Sequence, residues 1–467
     1  MFRKQKKQSI YLKEQIKKTM KNKRKYFGTD GIRGKANSSN MNASLALNIG
    51  MATAEYFTRG NHKHFVLIGK DTRLSNYTIE PSLTAGFLSM GMNVYLTGPL
   101  PTPGVSALVS SMRCDVGVMI SASHNHYSDN GIKIFGPDGT KLSDKDELNI
   151  EKLIDSKFKN LVKPENLGRA KRIEDAGGRY IEYLKSKISS KLRLDGLKIV
   201  IDCANGAAYN LAPKILWELG ATVFPINVSP DGTNVNENSG STFPNNLINK
   251  VIEFKADVGI ALDGDADRTI LVDENGVIVD GDKIIAIIAQ FWKKNNNLFQ
   301  NTVVGTVMTN KALEDYFLEN KINLIRTDVG DRNIIQSMKE QNFVLGGEPS
   351  GHIILDKYSS TGDGILASLE VLGIMKFKNK KLSVLANIYT PYPQIMKNFP
   401  IRSNQKSESI ISYIKKKVEK KIDKKDARII IRKSGTENKI RTMIEAKNLE
   451  LAQSISNKIV SLMKEKI

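Results

Sequence analysis

Short apolar runs closed by polar or glycine-containing turns alternate with helical segments along most of this chain, and that alternation most restricts its fold. The runs Phe65–Gly69, Asn93–Leu96, Val116–Ile120, Lys198–Asp202, Thr222–Pro225, Val258–Leu262 and Val303–Val307 have the length of buried strands. Strands that alternate with helices predict parallel or mixed sheets covered by helices. The order strand, glycine-containing turn, helix recurs near residues 65–90, 198–220 and 303–320. This recurrence suggests similar α/β units without an evident repeat of sequence. Breaks are expected near 160–170, 270–280 and 380–395, the last holding Pro391-Tyr392-Pro393. Beyond it, a helical pattern over Ser407–Lys421, a strand pair (Arg428–Arg432 and Lys439–Ala446) and a helix over Leu449–Lys464 predict a small α+β domain.

The 467 residues leave room for three or four domains at about 100–150 residues each. No apolar run approaches the ~20 residues that span a bilayer. Ile284–Trp292 is broken by Gln290 and reads as a buried helix. Cys114 and Cys203 stand far apart without metal-ligand spacing, which fits a reducing cytoplasm. The net charge is +21, and residues 1–25 carry eleven Lys and Arg against one acid, Glu14. A second lysine-rich zone runs from Lys415 to Lys433. Such charge attracts nucleic acid or anionic lipid, but a solvated surface in a lysine-rich chain explains it better, so nucleic acid is not an expected partner. Gln5–Lys18 lacks the apolar segment of a secretory signal, while Leu12, Ile16 and Met20 share one helical face. Met20 stands just before the first motif and is expected to be the true start, with residues 1–19 an over-extended reading frame.

Four loops carry chemistry. Ile120-Ser121-Ala122-Ser123-His124-Asn125 ends a buried strand, placing a hydroxyl, an imidazole and an amide at the carboxyl edge of a sheet, where α/β proteins collect their ligands. Asp263-Gly264-Asp265-Ala266-Asp267-Arg268 puts three carboxylates at alternate positions. In a straight strand they would lie about 6.6 Å apart, so the backbone must curl to bring them onto one hard cation. An EF-hand is excluded because Arg268 stands where its sharp turn needs glycine, and the flanks are strand-like. Gly346-Gly347-Glu348-Pro349-Ser350-Gly351-His352 offers a carboxylate and a hydroxyl suited to vicinal sugar hydroxyls. Arg432-Lys433-Ser434-Gly435-Thr436-Glu437, between two strands, combines a guanidinium, two hydroxyls and glycine-freed N–H groups into a phosphate cradle. Phe27-Gly28-Thr29-Asp30-Gly31-Ile32-Arg33-Gly34 is rich in glycine but has neither Walker A nor dinucleotide-binding spacing. With no nucleotide loop, the phosphate must come from the substrate or from the enzyme.

These motifs, FGTDGIRG, ISASHN with DNGIKIF, DGDADR, GGEPSGHI with TGDG, and RKSGTE, resemble in order and spacing those of the α-D-phosphohexomutases, most closely the bacterial enzymes acting on glucosamine phosphate. The resemblance runs from Tyr26 to about Ala446. It implies three similar α/β domains with mixed sheets and a C-terminal α+β domain around a central cleft. The expected boundaries are a basic extension over 1–25 and domains over 26–165, 166–272, 273–388 and 389–467. It further implies that Ser123 is phosphorylated in the active enzyme, and that Asp263, Asp265 and Asp267 bind one Mg²⁺ together with that phosphoserine. Glu348, Ser350 and His352 would meet the sugar, and Arg432, Ser434, Gly435 and Thr436 the non-reacting phosphate. Arg33, Lys133 and Arg268 match basic positions near the reacting centre. Lys133 is the candidate proton acceptor if neighbouring cations lower its pKa, with His124 or His352 assisting.

The implied reaction interconverts glucosamine 6-phosphate and glucosamine 1-phosphate through a 1,6-bisphosphate, supplying UDP-N-acetylglucosamine and cell-wall precursors. Glucosamine 1,6-bisphosphate or another hexose bisphosphate would act as activator. Expected partners are a small sugar phosphate and, as assembly, a homodimer. A phosphomannomutase or phosphoglucomutase of the same fold is the alternative, since no residue here reads the sugar 2-substituent. His126, Lys433 and Asn438 stand where prolines are usual, and Pro349 where glutamine is frequent.

Overall fold

The computed structural model describes residues 24–28, 30–156, 161–401, 407–418, 423, 426–433 and 438–466. The basic arm up to residue 23, including the expected start at Met20 and its helical face, lies outside them. The segment that follows is anchored: the Glu151 carboxylate accepts the backbone N–H groups of Tyr26 and Phe27, each at 2.6 Å.

Three sheets repeat one plan. In the first, β2 (Phe65–Lys70) is flanked by parallel β3 (Asn93–Pro99) and β4 (Val116–Ile120), and β5 (Asp129–Phe135) pairs antiparallel with β4. In the second, β7 (Lys198–Asp202) lies between parallel β8 (Thr222–Ile226) and β9 (Val258–Leu262), followed by antiparallel β10 (Thr269–Asp273). In the third, β12 (Thr302–Thr306) lies between parallel β13 (Asn323–Thr327) and β14 (Leu345–Gly347), followed by antiparallel β15 (Ile353–Leu355). The fourth sheet is antiparallel throughout, in the order β16 (Gln394–Pro400), β18 (Lys439–Ala446), β17 (Ala427–Lys433). Four of the motif loops therefore join two antiparallel strands, β4 to β5, β9 to β10, β14 to β15 and β17 to β18, the first three at the same place in their units.

Two strands lie across expected breaks. β6 (Ala170–Arg172) extends the first sheet by pairing with β3, although it follows residue 165. β11 (Ile278–Val279) pairs with β10, although it follows residue 272, because Glu274-Asn275-Gly276 forms the hairpin turn read from the sequence. β1 (Ile32–Lys35) closes the other edge of the first sheet on β5.

β4, β9, β10 and β12 are buried along their whole length, which explains their unbroken Val/Ile/Leu runs. The helix over Gly281–Lys294 buries Ile284, Ile285, Ile287, Ile288 and Trp292, each worth about 1.5–3 kcal/mol of transfer free energy. It starts at Asp280, whose side chain accepts the Lys283 N–H. One continuous apolar cluster runs from Leu67 through Ile260 to Ala386, joining the first three units. No helix among the described residues is long and apolar enough to cross a membrane.

Candidate active site

Ser123 sits directly beyond β4, with φ near +54°, a conformation that non-glycine residues adopt only when the surroundings impose it. Those surroundings are specific. Its N–H donates to Ser121 Oγ (2.9 Å), and Ser121 Oγ donates to Asp71 (2.7 Å). Its carbonyl accepts from Arg73 Nη2 and Asn236 Nδ2, both at 2.9 Å. Arg73 is buried, paired with Asp71, and also donates to the carbonyls of Asn125, His126 and Asp129, so one guanidinium shapes the whole loop. Ser123 Oγ donates to Asp263 Oδ2 at 2.6 Å, which places the hydroxyl against the carboxylate loop of the second unit.

That close approach fixes the glycine of the carboxylate loop: a Cβ on Gly264 would stand 2.7 Å from the Ser123 carbonyl oxygen. The loop curls as the three carboxylates require. Ala266 takes φ near +55°, and its N–H bonds the Asp263 carbonyl (3.0 Å). One oxygen from each of Asp263, Asp265 and Asp267 lies within 4.8 Å of the others, and all three residues are buried. Asp265 Oδ1 and Asp267 Oδ1 have no hydrogen-bond partner among the described residues. Buried carboxylate oxygens without a hydrogen-bond donor on one small volume fit a hard divalent cation with oxygen ligands. Thr361–Gly364 buttresses this loop: the Gly364 N–H bonds the Ala266 carbonyl, and Asp363 caps the following helix and accepts from Tyr180.

Electrostatics reverses one expectation. Lys133 Nζ lies 2.7 Å from Asp265, 3.3 Å from Asp267 and 3.5 Å from Asp30. Burial opposes its charge, but these carboxylates outweigh burial and hold its pKa well above the ordinary lysine value. The condition set for Lys133 as proton acceptor, a pKa lowered by neighbouring cations, is therefore not met, because anions surround it. Burial, reinforced by Asp267 and Asp265, pushes the Asp263 carboxyl above the usual range. Asp267 is held low because Lys133, His352 and Arg268 together overcome its burial. His124 is neutral: burial, with Arg268 and Arg33, pushes it down to about 4, and its Nδ1 lies 3.4 Å from Ser123 Oγ.

The third loop closes on the second through paired backbone. Arg268 and His352 form a β-bridge, and the Thr269 N–H bonds the Gly351 carbonyl (3.0 Å). Glu348 Oε1 accepts the Gly330 N–H (3.0 Å), and Ser350 Oγ donates to Oε2 at 3.3 Å. The His352 ring sits between Asp267 and Asp331, each 3.7 Å away. Arg33 and Lys141 both pair with Asp30, and Lys141 also reaches Asp331, tying the first unit to the third. A cavity of about 1000 Å³ lies behind Lys141 and Arg332, lined by neither Ser123 nor the three aspartates.

Ser123, His124, Arg33, Lys133, Asp263, Asp265, Asp267, Arg268 and His352 thus converge, with Glu348 and Ser350 on the adjoining loop. Arg432, one residue before the end of β17, is half-buried and makes no hydrogen bond to the Ser123 group among the described residues. Ser434, Gly435 and Thr436 lie outside them. Asp71, Arg73, Thr102, Lys141 and Asn236 were not singled out from sequence. Asp71 and Arg73 follow β2 at its carboxyl end, so the rule that found Ser123 also covered them. Thr102 Oγ1 donates to Asp265 at 2.5 Å across 163 residues, and no local pattern announces such a contact.

A buried serine hydroxyl against a carboxylate triad, on repeated α/β units, is an arrangement of the sugar phosphomutase class. The chain belongs to the phosphoglucomutase/phosphomannomutase family: its α/β/α domains I, II and III match residues 24–160, 178–276 and 280–392, and its C-terminal domain matches 394–462. The chain is 53% identical over 438 residues to the phosphoglucosamine mutase of Zymomonas mobilis, covering 93% of this chain and 98% of that protein. It is 50% identical over 447 residues to that of Parvibaculum lavamentivorans, covering 94% and 98%. Among solved structures, a phosphoglucomutase/phosphomannomutase family protein from Burkholderia thailandensis superposes with a TM-score of 0.80 at 22% identity, over 94% and 97% of the two chains. Aspergillus fumigatus N-acetylphosphoglucosamine mutase, solved with GlcNAc-6P and magnesium, superposes with 0.65 at 16% identity, over 97% and 99%.

Proposed function

We propose that this chain interconverts glucosamine 6-phosphate and glucosamine 1-phosphate by way of a phosphorylated Ser123 and a 1,6-bisphosphate. Ser123 Oγ, held 2.6 Å from Asp263 beside the other two carboxylates, carries the reading. The amino-sugar choice rests on the relatives at about half identity over almost their whole length.

In the first transfer the bond between phosphorus and Ser123 Oγ breaks as the sugar anomeric oxygen bonds to phosphorus. Asp263, Asp265 and Asp267 would hold Mg²⁺, which supplies charge neutralisation at the transferring phosphoryl group when bound. Arg33, Arg268 and Lys133 add fixed positive charge there, the dominant need in such transfers. The anomeric hydroxyl must lose a proton. His124, whose Nδ1 lies 3.4 Å from Ser123 Oγ, is the acceptor the geometry supports. The bisphosphate then turns, and its 6-phosphoryl group passes to Ser123, leaving glucosamine 1-phosphate. Glu348 and Ser350 bind sugar hydroxyls in both orientations, while Arg432 with Ser434, Gly435 and Thr436 grips whichever phosphate is not reacting. A hexose bisphosphate phosphorylates Ser123 at the outset. The buried free thiols Cys114 and Cys203 suit the cytoplasm as the working compartment.

Phosphorus NMR of glucosamine 6-phosphate with Mg²⁺ and a trace of hexose 1,6-bisphosphate tests this reading, with glucose and mannose 6-phosphates in parallel. Glucosamine 1-phosphate is expected to form in preference. A clear preference for glucose or mannose would move the chain to the sister activity, and no turnover of any sugar would refute the mechanism.

A further inference from the structure

A second metal-capable cluster lies at the opposite end of the first sheet. His64 immediately precedes β2, and Asp115 immediately precedes β4. The two strands are parallel neighbours with Val66 opposite Val116, so topology brings these residues together at their amino ends. The short turn before β2 adds His62. His62 Nε2 lies 2.7 Å and His64 Nδ1 3.3 Å from the same oxygen, Asp115 Oδ1. The two rings stand 4.1 Å apart at 60°, and one ligand atom from each of the three residues lies within 4.8 Å of the others.

We infer that His62, His64 and Asp115 form a binding site for a transition-metal dication of the zinc type, separate from the aspartate centre. Two imidazoles and one carboxylate suit such ions better than magnesium or calcium. Ligands about 2.0–2.1 Å from a tetrahedral ion stand about 3.3 Å from one another, a spacing these atoms reach with small rotations. The carboxylate is already oriented: Asp115 Oδ2 accepts the Phe65 N–H at 2.8 Å, leaving Oδ1 to face both rings. Such a second contact is what fixes a metal-binding carboxylate. His64 and Asp115 are largely sheltered while His62 is exposed, so the site opens to solvent on one side and leaves room for water as a fourth ligand. From Asp115 to Ser121 the strand covers about 20 Å at ~3.3 Å per residue, so an ion here does not touch the reacting groups. Its effect is structural: it pins the turn that leads into β2 against the start of β4.

The test is a calorimetric titration of the intact chain with Zn²⁺ in saturating Mg²⁺, which keeps the aspartate centre occupied. The native chain is expected to bind one more Zn²⁺ than His62→Gln/His64→Gln, and to gain several degrees of melting temperature that the double variant does not. Substituting either histidine alone is expected to weaken that Zn²⁺ at least about tenfold. Co²⁺ in place of Zn²⁺ should give a visible absorption band lost in the variants, and Mg²⁺-supported turnover should be unchanged in all of them. Equal Zn²⁺ stoichiometry and affinity in native and double-variant protein overturns the site, as does an unaltered Co²⁺ band. Loss of Mg²⁺-supported turnover in correctly folded variants overturns its separation from the reacting centre. The exposed position of His62 makes His62→Gln the variant that decides if the double substitution disturbs folding.

Discussion

One apolar cluster, from Leu67 to Ala386, joins the first three units, which also keep smaller clusters of their own, whereas the C-terminal unit packs only around its own, with Ile401, Ile414, Ile440, Ile444 and Ile459. Where the third and fourth units meet, the contacts among described residues include polar ones: Arg428 donates to the Thr309 carbonyl at 2.8 Å, and Asn310 exchanges two 3.1 Å bonds with the Tyr392 backbone. The contrast matches two demands of the proposed chemistry. Phosphoryl transfer loses rate with displacements of about 1 Å, so the serine, the carboxylates and the basic side chains belong in one interlocked block. A grip on the distal phosphate must accept a substrate in two orientations and needs charge more than exact placement.

The largest effect expected is confined to the block. Ser123→Ala removes the atom proposed to carry the phosphoryl group and should lower turnover by roughly 10⁴-fold or more, measured with glucosamine 6-phosphate and an added bisphosphate. Circular dichroism should be unchanged. Substantial residual turnover would show that phosphate moves directly between sugars, and the block would lose its defining role.

Gly351→Ala tests how tightly the block is built. A Cβ there would lie 2.0 Å from the Thr269 carbonyl oxygen, and φ is near +89°. Backbone strain and overpacking together should cost about 3 kcal/mol or more. A melting temperature lower by several degrees, with a loss of turnover at temperatures where the chain remains folded, is the expected result. An unaffected variant would mean that the second and third loops do not need their paired backbone.

Arg432→Gln addresses the other side of the comparison. A charge-assisted hydrogen bond is worth about 1.5–3 kcal/mol, or roughly 10–150-fold in affinity. If the fourth unit only grips, the loss falls on KM and leaves kcat nearly intact. A fall in kcat of the size seen for Ser123→Ala would place Arg432 among the groups that act in the transition state and erase the distinction.

The same contrast marks what was legible in the sequence. Fully buried strands such as β4 and β9 were read to the residue, because unbroken apolar runs leave no other reading. β13 is half-buried along much of its length and mixes Asn and Arg with its apolar residues, and β6 is three exposed residues, so neither stands out. At the site, the carboxylate triad and the serine loop announce themselves because their residues are close in sequence. The Thr102–Asp265 and Lys141–Asp331 contacts join distant segments and become visible only when the units are folded together. The Lys133 expectation failed for a related reason. Its charged neighbours come from two distant loops, and only their juxtaposition shows that anions outnumber cations around it.

A further effect is expected at the joint itself and reads how dry it is. Asp282 is buried near that joint, its Oδ2 accepting the Asn310 N–H at 2.7 Å and its Oδ1 without a partner among the described residues. Burial, with Asp280 and Glu445 adding to it, pushes the carboxyl up to about 8, against about 4 in an unfolded chain. The folded state therefore favours the neutral acid. The stability this contributes is complete below about pH 4 and is lost as pH rises toward and through about 8. Asp282→Asn cannot ionise and keeps an acceptor for the Asn310 N–H. Its melting temperature should accordingly gain on the native value as pH rises from 5 to 9, with most of the gain below about 8.5. A difference that stays constant across that range would mean that water reaches Asp282 and that the joint is as open as its polar contacts suggest. A rising difference would show that polar contacts there coexist with a desolvated interior, which narrows the contrast between the two halves of the molecule.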